Sequence, residues 1–170
     1  MSTPAAPALD SLDLALLQAL ADHPRVGDLE LSRLLSVARA TVQGRLRRLG
    51  EAGVIRGWSP ELSAAAAGFD VAAFVSLEIA QGALDTVRDE LLAIPGVVEA
   101  FVTTGTSDVL CRIAAASHAG LQGVLLDLNR STSVVRSTSV MVLSTLIEPR
   151  LLPLLATTAA GREARAPAYR

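Results

Sequence analysis

No lysine occurs in this 170-residue chain, so every fixed cation is an arginine. Aromatic residues make up only 3% of a chain that is 51% hydrophobic, so the core must be built mainly from Leu, Val and Ala. Cys111 is the single cysteine and excludes an internal disulfide. Within "VLCRI" it reads as a small buried apolar residue, and a cytoplasmic location is expected. No stretch reaches the roughly 18 uninterrupted apolar residues of a membrane span. The opening "MSTPAAPALD" lacks the basic flank and apolar run of a signal peptide. No membrane partner is therefore expected. Histidine is scarce as well. His23 precedes Pro24 at a helix end and His118 opens a helix, positions where histidine is usually a surface residue. No metal-ligand spacing, nucleophile–base pair or phosphate loop occurs. Neither a catalytic residue, a metal nor a cofactor is expected, and the chain does not read as an enzyme.

What is present is an uneven charge distribution. The formal net charge is −2, and from residue 1 to 62 seven arginines balance seven acids. Yet Arg39 to Arg56 holds five arginines against the single acid Glu51. A local cationic patch sits on a mildly acidic chain.

That patch falls on helix-prone sequence. Met1 to Ala8 is a Pro/Ala/Ser-rich arm. "LDSLDLALLQALADHP" then spaces Leu12, Leu16 and Leu20 as one helix face, with Asp10 as N-cap and Pro24 beyond the end. "DLELSRLL" forms a second helix after Gly27, a tolerable N-cap. After the break "SVA", a third helix is expected from Arg39 to Ala52, stopped by Gly53. At 100° per residue, with Val42 set to zero, Leu46 falls at about 40° and Leu49 at about 340°, a buried stripe. Ala40, Gly44 and Arg47 lie opposite that stripe, with Gln43 on one flank and Thr41 and Arg48 on the other. Arg45 borders the core, where it braces the helix or reaches a phosphate from the side. A solvated amphipathic helix carries the same pattern. The preceding helix and tight turn favour a DNA-binding helix-turn-helix, in which small residues admit base edges and arginines reach guanine or phosphate. "GVIRGW" then reads as a short strand, Val54–Ile55, in a wing that offers Arg56 to the backbone.

From Val71 the periodicity changes. "VAAFVSLEIA", "VVEAFVTTG", "TSDVLCRIAA" and "VVRSTSVMVLSTLIE" read as strands, and "ALDTVRDELLAI" and "SHAGLQGVLLDLN" as helices. Their order is βαββαβ, the ferredoxin-like arrangement, with both helices on one sheet face. The other face keeps apolar alternation, which a second copy of the sheet would cover. The fold class is thus α+β, with expected domains at 1–62, 63–150 and a C-terminal tail at 151–170.

Two signatures together give a family resemblance from about Leu9 to Glu148. One is Leu9-Asp10-x-x-Asp13 with the register Arg45-Leu46-x-x-Leu49-x-x-x-Gly53-Val54-Ile55. The other is Pro95-Gly96-Val97 with Gly105-Thr106-Ser107-Asp108. The chain resembles the Lrp/AsnC (feast/famine) transcription regulators. The resemblance implies a winged helix-turn-helix followed by a regulation of amino-acid metabolism (RAM) domain. It implies double-stranded DNA as partner, a homodimer assembling to a tetramer or octamer, and an amino acid or related metabolite as effector. The recognition helix then falls on Ala38 to Leu49. The expected DNA-binding residues are Arg39, Ala40, Thr41, Gln43, Gly44, Arg45, Arg47, Arg48 and Arg56. The expected effector-binding residues are Gly105, Thr106, Ser107 and Asp108. Backbone N–H groups of that turn suit a carboxylate and Asp108 suits an ammonium, although the same four residues make an adequate hairpin turn without a ligand. The chain departs from the pattern at Ser36, where glycine is usual, at Trp58, where tyrosine is commoner, and at the turn Ser131 to Val134. Two other readings remain at this level. One is a metabolite-sensing oligomer without DNA binding. The other is an enzyme resembling the sirohaem decarboxylases of the same two-part architecture, for which two histidines are few.

Overall fold

Asp10 starts the first element by a reciprocal cap. Its side chain accepts from the Asp13 N–H at 2.9 Å, and Asp13 returns the bond to the Asp10 N–H at 3.1 Å. These two bonds satisfy donors that a helix N-terminus leaves free. The computed structural model describes residues 8–159, so most of the expected N-terminal arm and residues 160–170 of the expected tail lie outside the described residues. Helices α1 (Ser11–Asp22), α2 (Asp28–Leu34) and α3 (Arg39–Glu51) come first. Then follow β1 (Val71–Ile79), α4 (Leu84–Leu92), β2 (Val97–Val102), β3 (Val109–Ala115), α5 (His118–Asn129), β4 (Val134–Val142) and α6 (Leu152–Ala159).

The chain divides into two units, with boundaries at Pro60/Glu61 and Ile147/Glu148. In the first, Leu16 of α1, Leu31 of α2, and Val42 and Leu49 of α3 form a buried cluster. The turn between α2 and α3 passes through Ser36 at φ +53°, the left-handed region that glycine enters more easily. Gly53, at φ +71°, ends α3 as expected. Residues 148–159 belong to this unit. Helix α6 packs on α1, and Leu155 joins the same apolar cluster.

Two expected elements differ. Val54 and Ile55 do not form a wing strand. Their N–H groups both donate to the Leu49 carbonyl, at 2.9 and 3.1 Å, and their side chains pack onto the helical core. A strand needs a partner edge, and the end of α3 takes these donors first. The last strand also stops at Val142, well short of Glu148, because its antiparallel neighbour β1 begins there: the final pair is Val142 with Ala72, one residue past the start of β1.

The second unit is a four-stranded antiparallel sheet in the order β2-β3-β1-β4, the ferredoxin-like order. Ala73, Val75 and Leu77 of β1 and Val109, Cys111, Ile113 and Ala115 of β3 all face one side. There they meet Val87 and Leu91 of α4 and Leu121 and Leu128 of α5. Burial pushes the Cys111 thiol up to about 11, so it stays protonated in this core. The opposite side carries Phe74, Phe101 and Val140, all exposed.

Candidate functional site

Helix α3 is fastened along one stripe and open on the other. Val42 and Leu49 are buried and Leu46 packs beside them, as the 100° spacing requires. Ala40 and Arg47 are exposed and Gly44 is half-buried, so the side opposite the stripe is largely open among the described residues.

The arginines divide into two sets. Arg45 Nη1 reaches Asp10 at 2.6 Å and Asp13 at 2.8 Å. Arg48 Nη2 reaches the two Asp13 oxygens at 2.6 and 2.5 Å. Asp13 is 0% exposed, and Arg45 only 15%. Burial by itself raises the Asp13 pKa. The hydrogen bonds from Arg48, the Asp10 N–H and Arg45 outweigh it and hold the carboxyl below its ordinary value. The Arg45 guanidinium, penalised by burial, is raised by the same two acids. Arg48, expected beside the outward residues, is thus turned toward α1, because 100° spacing describes direction and not the acid waiting there. Arg39, Arg47 and Arg56 are exposed, and among the described residues none of the three has an ion pair.

Gln43 is exposed, and its Nε2 donates to Asp28 Oδ2 at 2.9 Å. Thr41 is half-buried. Asp13 and Asp28 are the site residues that sequence spacing missed. Asp13 stood in the Leu9-Asp10-x-x-Asp13 signature, but its partners lie more than thirty residues on.

In the second unit Gly105, Thr106, Ser107 and Asp108 lie together in the β2–β3 connection. Gly105 has φ +112°, a conformation that glycine alone enters cheaply. Asp108 is anchored on β1. Its N–H donates to the Leu77 carbonyl at 2.9 Å, and its Oδ2 accepts from the Ile79 N–H at 2.8 Å. Thr103 Oγ1 donates to the Ser107 carbonyl at 2.9 Å. The loop is therefore held firmly at both ends, with Asp108 Oδ1 and the exposed Gly105–Thr106 backbone at its surface. No group of three or more His, Cys, Asp or Glu placed to hold a metal occurs among the described residues. No helix among them is long and apolar enough to cross a membrane.

Comparison with known proteins agrees with both halves. Residues 9–56 match a winged helix-turn-helix DNA-binding family, and residues 72–152 match the Lrp/AsnC ligand binding domain. The HTH-type transcriptional regulator Rv2324 of Mycobacterium tuberculosis is 34% identical over 142 residues, covering 82% of this chain and 95% of that protein. The leucine-responsive regulatory protein of Rhizobium meliloti is 30% identical over 137 residues, covering 79% and 88%. Among solved structures, E. coli AsnC superposes with a TM-score of 0.79 at 25% identity, over 85% of this chain and 99% of that one. A regulator of Neisseria meningitidis, NMB0573, solved as a complex with L-Met, gives 0.75 at 25% identity, over 86% and 99%. These relatives are transcription regulators, not enzymes.

Proposed function

Since the chain belongs to the Lrp/AsnC family of DNA-binding transcription regulators, we propose that α3 enters the major groove with the face carrying Ala40, Gly44 and Arg47. Thr41 and Gln43 flank that face, while Arg39 and Arg56 reach phosphates at its two ends. The observation that carries this reading is the division of the arginines. Arg45 and Arg48 are spent on Asp10 and Asp13, so they orient the helix, whereas Arg47 is exposed beside residues small enough to admit base edges. Two protomers, joined through the sheet face that bears Phe74, would present two such helices to half-sites one helical turn or a multiple apart.

The test is binding to the duplex upstream of the protein's own gene, measured across a salt series. Arg47→Ala is expected to weaken binding by about 1–3 kcal/mol and relax one base position if it grips a base edge. Arg39→Ala and Arg56→Ala are expected to weaken binding on all sequences and to reduce the salt slope by about one phosphate each. Unchanged affinity in all three variants, or no binding by the native protein at low salt, would remove the assignment.

The Gly105–Asp108 loop is the proposed effector site, and an amino acid is its ligand class. Exposed backbone donors suit the carboxylate, and Asp108 Oδ1 suits the ammonium. The L-Met complex of the neisserial regulator supports that class. Thermal-shift screening against the amino acids tests it, since a ligand that binds only the folded state raises the melting temperature. A hit that survives Asp108→Ala would place the site elsewhere.

A further inference from the structure

We propose that Asp28 determines base specificity, by fixing the Gln43 carboxamide so that it reads adenine. The inference rests on α3 being the groove-facing helix. Asp28 opens α2 and Gln43 is the fifth residue of α3, and the two meet at 2.9 Å although fifteen residues apart. Their spacing is set by rigid parts. Leu31 and Val42, one on each helix, are buried in the same cluster, and the Val37 N–H closes the turn onto the Ser32 carbonyl at 3.0 Å.

The chemistry follows from what an ionised carboxylate can accept and what it cannot donate. A free glutamine turns its carboxamide through 180° at almost no steric cost, exchanging an oxygen for an NH₂ group. It then offers a base either an acceptor or a donor. Asp28 is an acceptor only, so it accommodates the NH₂ end alone. One N–H is thereby consumed. The oxygen and the remaining N–H are left to face outward, an acceptor beside a donor. In the major groove adenine presents the complement, the N6 amino donor beside the N7 acceptor. Guanine offers acceptors at both N7 and O6, and thymine an acceptor with a methyl group. Guanine thus sets an acceptor against Gln43 Oε1, with the Asp28 carboxylate close behind, while thymine takes only the N–H and leaves Oε1 without a donor. Asp28 also adds a negative charge near phosphates, so it lowers affinity for every sequence while sharpening the choice at one position.

The full-length chain would be used to select sites from a pool of random duplex DNA. Competition binding would then compare the selected duplex with its single-base variants. The native protein is expected to prefer adenine over guanine at one position per half-site by about tenfold or more, the discrimination typical of a bidentate contact. Gln43→Ala should erase that preference. Asp28→Asn, whose amide can turn either way, should reduce it to within about threefold at the same position, with affinity for random-sequence duplex raised. A circular-dichroism melt guards against misfolding, and Asp28→Ala provides a second variant without the amide. Retention of the full preference in both Asp28 variants would overturn the inference, as would a guanine or thymine preference at the position Gln43 reads. If Gln43→Ala alters one base position and the Asp28 variants do not, only this inference falls. If Gln43→Ala and Arg47→Ala both leave binding untouched, the placement of α3 in the groove falls with it.

Discussion

Asp13 of α1 and Arg48 of α3 form a closed pair, the guanidinium Nη2 lying 2.6 and 2.5 Å from the two carboxylate oxygens. Arg45 adds a second guanidinium at 2.8 Å, so a wholly buried acid is matched by two cations from the helix it supports. Helix α3, which we propose faces DNA, is therefore fixed on its inner side by apolar packing and on its flank by charge. Removing Asp13 leaves the Arg48 guanidinium without its acid and Arg45 held by Asp10 alone. Asp13→Ala is expected to cost about 3 kcal/mol, toward the lower end for a broken buried pair because Arg48 keeps access to water. Equilibrium urea unfolding, followed by hydrogen exchange of α1 and α3 amides, would measure it. A loss below about 1 kcal/mol, typical of an exposed pair, would show that the cluster does not hold the helix.

The same pair sets a pH dependence. Asp13 is held below the ordinary carboxylate range in the fold, despite the opposing effect of burial, by Arg48, the Asp10 N–H and Arg45. The folded state thus prefers the ionised acid. Its contribution is fully present above the unfolded-state value of about 3.9 and disappears as pH falls through the depressed folded value. The helical unit should lose stability on acidification below about pH 4, and Asp13→Asn should flatten that part of the profile relative to the native chain. Parallel profiles for the two proteins would refute the linkage.

Ser36 lies at φ +53°, where a Cβ is strained. Ser36→Gly removes the strain but gives the unfolded chain more freedom, so the expected net gain is about 0.5–1 kcal/mol. The helical unit should melt a few degrees higher, by roughly 4 °C for a domain of this size. A lower melting temperature would mean that the serine contributes something the turn geometry does not reveal.

Local chemistry was the legible part of this chain. Asp10 as N-cap, Gly27 before α2, Gly53 after α3 and the stripe through Val42 and Leu49 each follow from residue type and spacing, and each is found. The βαββαβ order was equally readable, because its periodicity changes from two to 3.6 and back at clear boundaries. What spacing leaves open is which donor meets which acceptor across the chain. The Val54 and Ile55 amides turn back to Leu49 instead of pairing as a ribbon. Arg48 finds Asp13, and Gln43 finds Asp28. β4 ends where antiparallel β1 begins, a fact about its neighbour and not about "VLSTLIE". Leu155, far along the chain, returns to the first core.

Gly96 is required by packing. A Cβ there would overlap Val124 Cγ2 and crowd Cγ1 at 3.2 Å and the Ala114 carbonyl oxygen at 3.3 Å. The Ala114 N–H also donates to the Gly96 carbonyl at 2.9 Å, so the backbone cannot simply move away. Gly96→Ala is expected to cost about 1–3 kcal/mol, the usual penalty for overfilling a packed site. Val124→Ala opens the space that the new methyl needs. The double variant should therefore be less destabilised than the sum of the singles by about 1 kcal/mol or more in urea unfolding. Simple additivity would place the strain elsewhere.

Phe74 tests the proposed protomer contact. It is 40% exposed at the centre of the face that the helices leave open. Its cross-strand neighbours are Arg112 on β3 and Val140 on β4. Arg112 is paired to Glu99 at 2.9 Å, so the charge beside the ring is already matched, and Phe101 extends the apolar surface along β2. An unpaired carboxylate placed there should be tolerated in water and costly against a second sheet. Phe74→Glu is accordingly expected to keep its circular-dichroism spectrum, to run as a monomer in light scattering, and to bind DNA at least tenfold more weakly, because two linked helices gain from effective concentration what one cannot. A Phe74→Glu protein that stays dimeric would move the contact to another surface.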